Sequence, residues 1–188
     1  MARWEPDASG RLTRAALELY AEHGYEQTTV ADIAERAGVT ERTYFRYFAD
    51  KREVLFDASG ALQELVVSAI ASAPLTLSPI ETIGVAMENA ASLLQERREF
   101  ARQRASVIAT NPSLQERELL KLALLGAAAA EALRARGVRE AAAALAAETG
   151  VMVFKIGFEK WVAEEESGDF PQHIRDALDD LRLLTAVT

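Results

Sequence analysis

The chain contains no cysteine and only two histidines, His23 and His173, among its 188 residues. The first absence excludes a disulfide framework, a thiolate zinc site and a cysteine nucleophile together. The second leaves imidazoles too few and too far apart for a histidine metal cluster. Nowhere does apolar alternate with polar between turn residues, so strands are not expected. Without a strand, no glycine-rich phosphate loop can follow one. An unbroken run of about 18 apolar residues, the length that spans a bilayer, is also missing. The alanine-rich stretches 127–133 and 141–147 are interrupted or bounded by Glu131, Arg134 and Glu148. The opening Met1-Ala-Arg-Trp-Glu-Pro-Asp7 has no apolar core segment, so no secretory leader is expected and the cytoplasm is the default location. Glu164-Glu165-Glu166 reads as a solvated helix end rather than a metal site. No catalytic residue, metal or cofactor is therefore assigned.

What is present is apolar bulk, 49% of the residues, and an acidic balance of −8. The first is enough for a sizeable core. The second runs against nucleic-acid binding unless the charge is unevenly placed. It is uneven. Residues 1–56 carry −2 and the remainder −6, and within 40–52 the sign reverses, with Arg42, Arg46, Lys51 and Arg52 against Glu41 and Asp50.

Helical periodicity covers almost the whole length, predicting an all-α fold of about nine helices, three short ones followed by longer ones. Asp7 caps a first helix to about His23, and Gly24 occupies the position after its end where positive φ is needed. Thr29-Val-Ala-Asp32 is a capping-box-like start, with Asp32 in the usual Glu/Gln place, for a second helix ending at Ala37. Thr40 caps a third through Phe48. Asp50-Lys-Arg-Glu53 opens a fourth helix to about 71, expected to join the N-terminal head rigidly to the rest. The segment 73–79 is the clearest loop, and Ser78-Pro79 restarts the helical pattern as N-cap and first helical residue. Asn111-Pro112 repeats the device before a helix closed by Gly137. A long helix over about 138–166 and a final one over about 171–186 complete the chain.

The segment from Thr29 to Phe48 has the physical requirements of a helix-turn-helix. Ile33, Ala34 and Ala37 pack its first helix, Gly38 permits the sharp turn, and Val39 plugs the space between helices. Phe45 and Phe48 are expected to point inward, with Tyr44 and Tyr47 partly outward. Glu41, Arg42, Thr43, Arg46 and Tyr47 remain for an outer face that presents guanidiniums, hydroxyls and a carboxylate to phosphates and base edges.

These residues closely resemble the TetR family of regulators. The likeness runs from about Arg11 to Phe56 and includes Ala16, Tyr20, Gly24-Tyr25, Thr28-Thr29, Ile33-Ala34, Ala37-Gly38-Val39, Tyr47-Phe48 and Lys51, about a quarter of the chain. The resemblance implies a homodimer whose third helices enter successive major grooves of a near-palindromic operator, and a division into a DNA-binding head, 1–50, and a ligand-binding and dimerisation body, 51–188. By resemblance Thr29 and Thr43 contact phosphates, as do Tyr47 and Lys51. Glu41, Arg42 and Tyr44 are candidates for base edges, Tyr44 being read equally as cover for the head's core, and Thr40 and Arg46 complete the DNA-binding set. Two residues depart from the pattern. Phe45 stands where many members have a phosphate-binding tyrosine, and Arg42 replaces a small residue. Arg3 and Arg11 have two readings, contact with the DNA backbone or no role, and the second is preferred.

In the body, Gly150 and Gly157 lie seven apart on one stripe with Val153 and Trp161, which suggests close backbone packing. Ile174, Leu178, Leu181 and Leu184 provide a matching stripe on the last helix. The two helices are read as a dimer interface forming a four-helix bundle with their symmetry mates; the other reading is an intramolecular core. The run from Phe100 to Leu120 resembles actinobacterial members with an acyl-CoA-like ligand domain. That resemblance implies a small-molecule effector bounded by Phe100, Arg104, Phe154 and Phe158. The simpler reading makes the aromatics core and pairs Arg104 with a nearby glutamate. Two rival functions stand beside the regulator: an enzyme, for which no constellation is found, and a helical adaptor that binds only proteins, against which the basic segment 42–52 speaks.

Overall fold

A computed structural model describes residues 7–164 and 168–185. Arg3 and the expected ends of the last two helices lie outside the described residues. Nine α-helices are found among the described residues: α1 (Ala8–His23), α2 (Val30–Arg36), α3 (Glu41–Tyr47), α4 (Ser59–Ser72), α5 (Pro79–Leu94), α6 (Arg98–Ala109), α7 (Pro112–Ala135), α8 (Glu140–Ala163) and α9 (Phe170–Thr185). Short 3₁₀ turns occupy Glu53–Phe56 and Gln95–Arg97. The all-helical architecture is the one the periodicity predicts.

Several caps predicted from single residues are also in place, whereas Asn111 turns its side-chain amide back onto the Val107 carbonyl at 2.6 Å. Asp7 accepts from the Gly10 amide, and both Thr29 with Asp32 and Ser78 with Glu81 form complete capping boxes. Gly24 and Gly38 take φ of 85° and 68°, values that a β-carbon would strain. The expected single helix over 50–71 is instead two pieces, the 3₁₀ turn at Glu53–Phe56 and α4. Val54, Leu55 and Phe56 are all buried. Three consecutive buried side chains do not fit one face of an α-helix, and Ser59 Oγ donates to the Phe56 carbonyl at 2.6 Å where α4 begins.

By packing, the chain divides into two compact units. The first holds the residues up to Ser59 together with 103–119, so it extends beyond the head marked out by the motifs. Within it α1 packs on α2, α3 and the first 3₁₀ turn, over a core that includes Leu12, Ala16, Tyr20, Ile33, Tyr44 and Phe48. The second unit, 60–102 with the residues from 120 onward, is organised by mutual packing of α5, α8 and α9.

The glycine stripe of α8 belongs to that second core, which corrects its reading as a subunit interface. A β-carbon on Gly150 would collide with the Ile83 side chain and stand 3.1 Å from Met87 Cε. One on Gly157 would stand 2.9 Å from Ile174 Cδ1 and 3.4 Å from the His173 backbone. The two glycines admit α5 and α9 of the same chain. Val153, Trp161, Ile174 and Leu178 are buried there as well, and Leu181 is half-buried. The apolar surface that α8 leaves exposed lies on another stripe, at Leu145, Met152 and Ile156.

Two stretches, Glu53–Ser72 and Glu140–Ala163, are long and apolar enough to span a bilayer by composition alone, with mean hydropathy of 1.4 and 1.5. Neither is an unbroken apolar run. In each, central apolar residues are packed against other helices: Val66 and Ile70 in the first, Val153, Phe154 and Trp161 in the second.

Candidate nucleic-acid interface

The helix-turn-helix is built from two seven-residue helices. Helices this short gain little from propagation, so their ends must be satisfied locally. At α2, the Thr29 hydroxyl lies 2.7 Å from Asp32 Oδ2, and that carboxylate also accepts from the Thr29 amide at 2.8 Å. These bonds hold the Asp32 carboxyl below the ordinary aspartate range. At α3, Thr40 Oγ1 accepts from the Thr43 amide at 3.2 Å and lies 3.1 Å from the Thr43 hydroxyl. Thr29, Thr40 and Thr43 thus act first as caps and cap neighbours, with Thr29 and Thr40 exposed and Thr43 half-buried. The Arg36 guanidinium forms a fork with Glu22, at 3.2 and 2.9 Å, tying α2 to α1.

The aromatic residues of α3 face differently from their predicted arrangement. Tyr44 is fully buried, and its hydroxyl donates to the Asp50 carbonyl at 3.1 Å. It packs against Phe48 with ring centroids 5.3 Å apart, and burial raises its phenol pKa. Tyr44 is therefore core and leaves the set of base-reading candidates. Phe45, expected inside, is 55% exposed. The helical spacing explains the exchange. Only one of the two can share the inward face with Phe48, and the four-residue spacing selects Tyr44, whose hydroxyl finds an acceptor in the following turn.

The outer face of α3 accordingly consists of Glu41, Arg42, Phe45, Arg46 and Tyr47, all exposed. Glu41 and Arg42 have no ion-pair or hydrogen-bond partner among the described residues. The Arg46 guanidinium lies over the Tyr47 ring, 5.0 Å from its centroid, with a hydrogen bond of 3.3 Å to the phenol oxygen. This face therefore offers two guanidiniums that are not neutralised by carboxylates, together with one bare aromatic ring.

Lys51 is placed in the turn after α3, before the 3₁₀ segment, rather than at the start of a long helix. Its ammonium donates to the Tyr25 carbonyl at 2.7 Å and the Thr28 carbonyl at 3.0 Å, and lies 4.1 Å from the Tyr25 ring centroid. Two of its three donors are thus used within the protein, and burial lowers its pKa below that of ordinary lysine. Beside it, Asp50 Oδ1 accepts from the Arg52 and Glu53 amides while Oδ2 accepts from the Arg52 guanidinium at 2.8 Å. The Arg52 hydrogen bonds keep the Asp50 carboxyl low.

The residues assigned to an effector divide between the two units. Arg104 belongs to the first, where it donates to the Leu55 carbonyl at 2.7 Å, pairs with Glu118 at 2.6 Å and lies 4.8 Å from the Phe56 ring centroid. Of its two readings the structure shows the ion pair. Arg117 pairs with Glu53 in the same unit. Which partners these are was not legible in the sequence, because Arg104 and Leu55 are 49 residues apart. Phe154 and Phe158 belong to the second unit and form an aromatic cluster with Trp161 and Phe170, the latter two stacked at 4.7 Å. Phe100 is half-buried in that unit. No group of three or more His, Asp or Glu residues able to hold a metal is found among the described residues.

The chain is similar to known protein families in two segments. A family profile described as bacterial regulatory proteins, tetR family, matches residues 12–58. A second, described as the MftR C-terminal domain, matches residues 77–184. The HTH-type transcriptional regulator TcmR of Streptomyces glaucescens is 41% identical over 73 residues, 39% of this chain and 32% of that protein. The fatty acid metabolism regulator protein of Bacillus subtilis is 46% identical over 45 residues, 24% of this chain and 23% of that protein. The chain thus matches about a third or less of the length of these curated relatives. Among solved structures, the FadR transcriptional regulator from Bacillus subtilis in complex with stearoyl-CoA superposes with a TM-score of 0.62 at 23% identity, covering 95% of this chain and 99% of that one. The FadR repressor of Thermus thermophilus in complex with lauroyl-CoA gives 0.58 at 23% identity, covering 96% of each chain. At such identities the likeness is one of fold.

Proposed function

The chain belongs to the tetR family of bacterial regulatory proteins, with a C-terminal domain of the MftR type, and from that premise we propose that it is a ligand-responsive repressor acting as a homodimer on a near-palindromic operator. The observation that carries this reading is the outer face of α3, where Arg42 and Arg46 stand exposed without a carboxylate partner on a helix whose N-terminus is capped by Thr40. Capping fixes the backbone, so the side chains can enter a major groove without ordering the helix first. Arg42 is the base reader, Arg46 and Tyr47 grip phosphates, and Thr29 and Thr43 add hydroxyl contacts at the helix starts. The acidic remainder of the chain disfavours indiscriminate binding to DNA.

The dimer seam in this proposal is the exposed stripe of α8, in place of the buried glycine stripe. Leu145, Thr149, Met152, Ile156, Glu159 and Ala163 recur at alternating spacings of four and three, the pattern of a helix pairing with a second copy of itself. The effector is a small apolar or acyl molecule. The acyl-CoA complexes of the two FadR structures support this class, and Phe100, Phe154 and Phe158 are its candidate contacts in the second unit. Bound effector lowers operator affinity through unequal affinity for two poses of the dimer.

A duplex selected from random sequence and titrated in gel shifts at two salt concentrations tests the reading. A DNA-binding regulator weakens steeply as salt rises, and added stearoyl-CoA releases the duplex. Arg42→Ala should cost about 1–3 kcal/mol at one base pair of each half-site and relax the choice of base there. A protein-binding adaptor would give no salt-sensitive shift on any duplex.

A further inference from the structure

The recognition face carries a large apolar side chain that neither the core nor a cap accounts for. Phe45 is 55% exposed, and the helix it sits on has a buried face already filled by Tyr44 and Phe48. Its ring meets Tyr44 edge-on, with centroids 5.5 Å apart and planes at 78°. On the helix it is three residues after Arg42 and four after Glu41, so the three side chains share one side.

A major groove offers hydrogen-bond donors and acceptors at every base pair but only one apolar feature, the C5-methyl group of thymine. An exposed phenyl ring cannot satisfy a phosphate or a polar base edge, and leaving it against either would cost desolvation without a compensating bond. We infer that Phe45 is a specificity-determining residue that reads the thymine methyl group, working beside Arg42. Three residues of helix rise about 4.5 Å, and successive base pairs about 3.4 Å along one strand. The guanine taken by Arg42 and the thymine taken by Phe45 therefore lie within about one base pair of each other in each half-site. This inference rests on the DNA-binding reading above.

The test uses the full chain and its selected duplex, in which each thymine is replaced in turn by deoxyuridine, removing only the methyl group. Burial of one methyl group predicts that the wild-type protein binds about three- to fivefold more weakly per half-site at one thymine position, one neighbouring the guanine whose choice Arg42→Ala relaxes. The Phe45→Ala protein should bind thymine and deoxyuridine duplexes equally, and Phe45→Leu should keep part of the preference. Equal wild-type binding to every substituted duplex overturns the role of Phe45 while leaving DNA binding intact. Failure to select or shift any duplex overturns the DNA-binding reading itself.

Discussion

The short helices of the first unit and the long α8 of the second are stabilised by different means. In the first, α2 and α3 are seven residues long and are capped at their N-termini by Thr29 and Thr40, with the left-handed Gly38 just after α2. In the second, α8 runs for 24 residues from an N-cap, Arg139, that makes no side-chain capping bond. It is held instead by close contact along its length, where Gly150 and Gly157 admit α5 and α9. A short helix has too few residues to bury and must satisfy its ends locally. A long one has enough buried surface that its ends matter little. The comparison teaches that single substitutions should act through caps and facing in α2 and α3, and through packing volume along α8.

The largest expected effect follows from the facing of α3. Tyr44→Ala should destabilise the protein by about 3–5 kcal/mol, the cost of emptying a large buried site. Phe45→Ala, at an exposed position, should stay within about 0.5 kcal/mol. Chemical denaturation of both variants checks the pair, and equal losses would erase the distinction between core and reading face.

Next in size is the corresponding test on α8. Gly150→Ala should cost about 1–3 kcal/mol by overpacking against Ile83 and Met87, without changing the association state. Ile156→Asp should do the opposite, leaving the fold stable while sedimentation reports a monomer. A dimer lost in the glycine variant and kept in the aspartate variant would return the seam to the buried stripe.

A smaller effect separates Lys51, read as a phosphate contact by resemblance, from Arg46, proposed above to grip phosphates. Each phosphate contact removed should lower the slope of log affinity against log salt by about 0.9. Arg46→Ala should show that drop. Lys51→Met should weaken binding severalfold with the slope nearly unchanged, because its ammonium is held by the Tyr25 and Thr28 carbonyls and mainly positions the loop before α2. A full drop in slope for Lys51→Met would make it a phosphate ligand after all.

The smallest effect is on acidification. The Asp50 carboxyl is held below its ordinary value by Arg52 and the backbone amides after it. Its contribution is present above the ordinary aspartate range and is lost as pH falls through the lowered value. Its partial exposure keeps the contribution modest. Asp50→Asn should flatten that part of the acid unfolding curve, and an unchanged curve would remove Asp50 from the account.

The sequence by itself determined the helical class, the positions of the caps at Asp7, Thr29, Thr40 and Ser78, the left-handed turn at Gly38 and the likeness of the first quarter to one family. All of these are local. A hydroxyl three residues before an amide, or a glycine where φ must be positive, acts within one turn and needs no knowledge of the rest. Only the tertiary structure decided which way the aromatic pair of α3 turns, that Lys51 caps carbonyls, that Arg104 is matched to Glu118, and that the glycine stripe of α8 receives α5 and α9. Those outcomes depend on partners far away in the chain. Spacing can place a residue on a stripe, but whether that stripe meets its own chain or another molecule is set by what the fold brings against it.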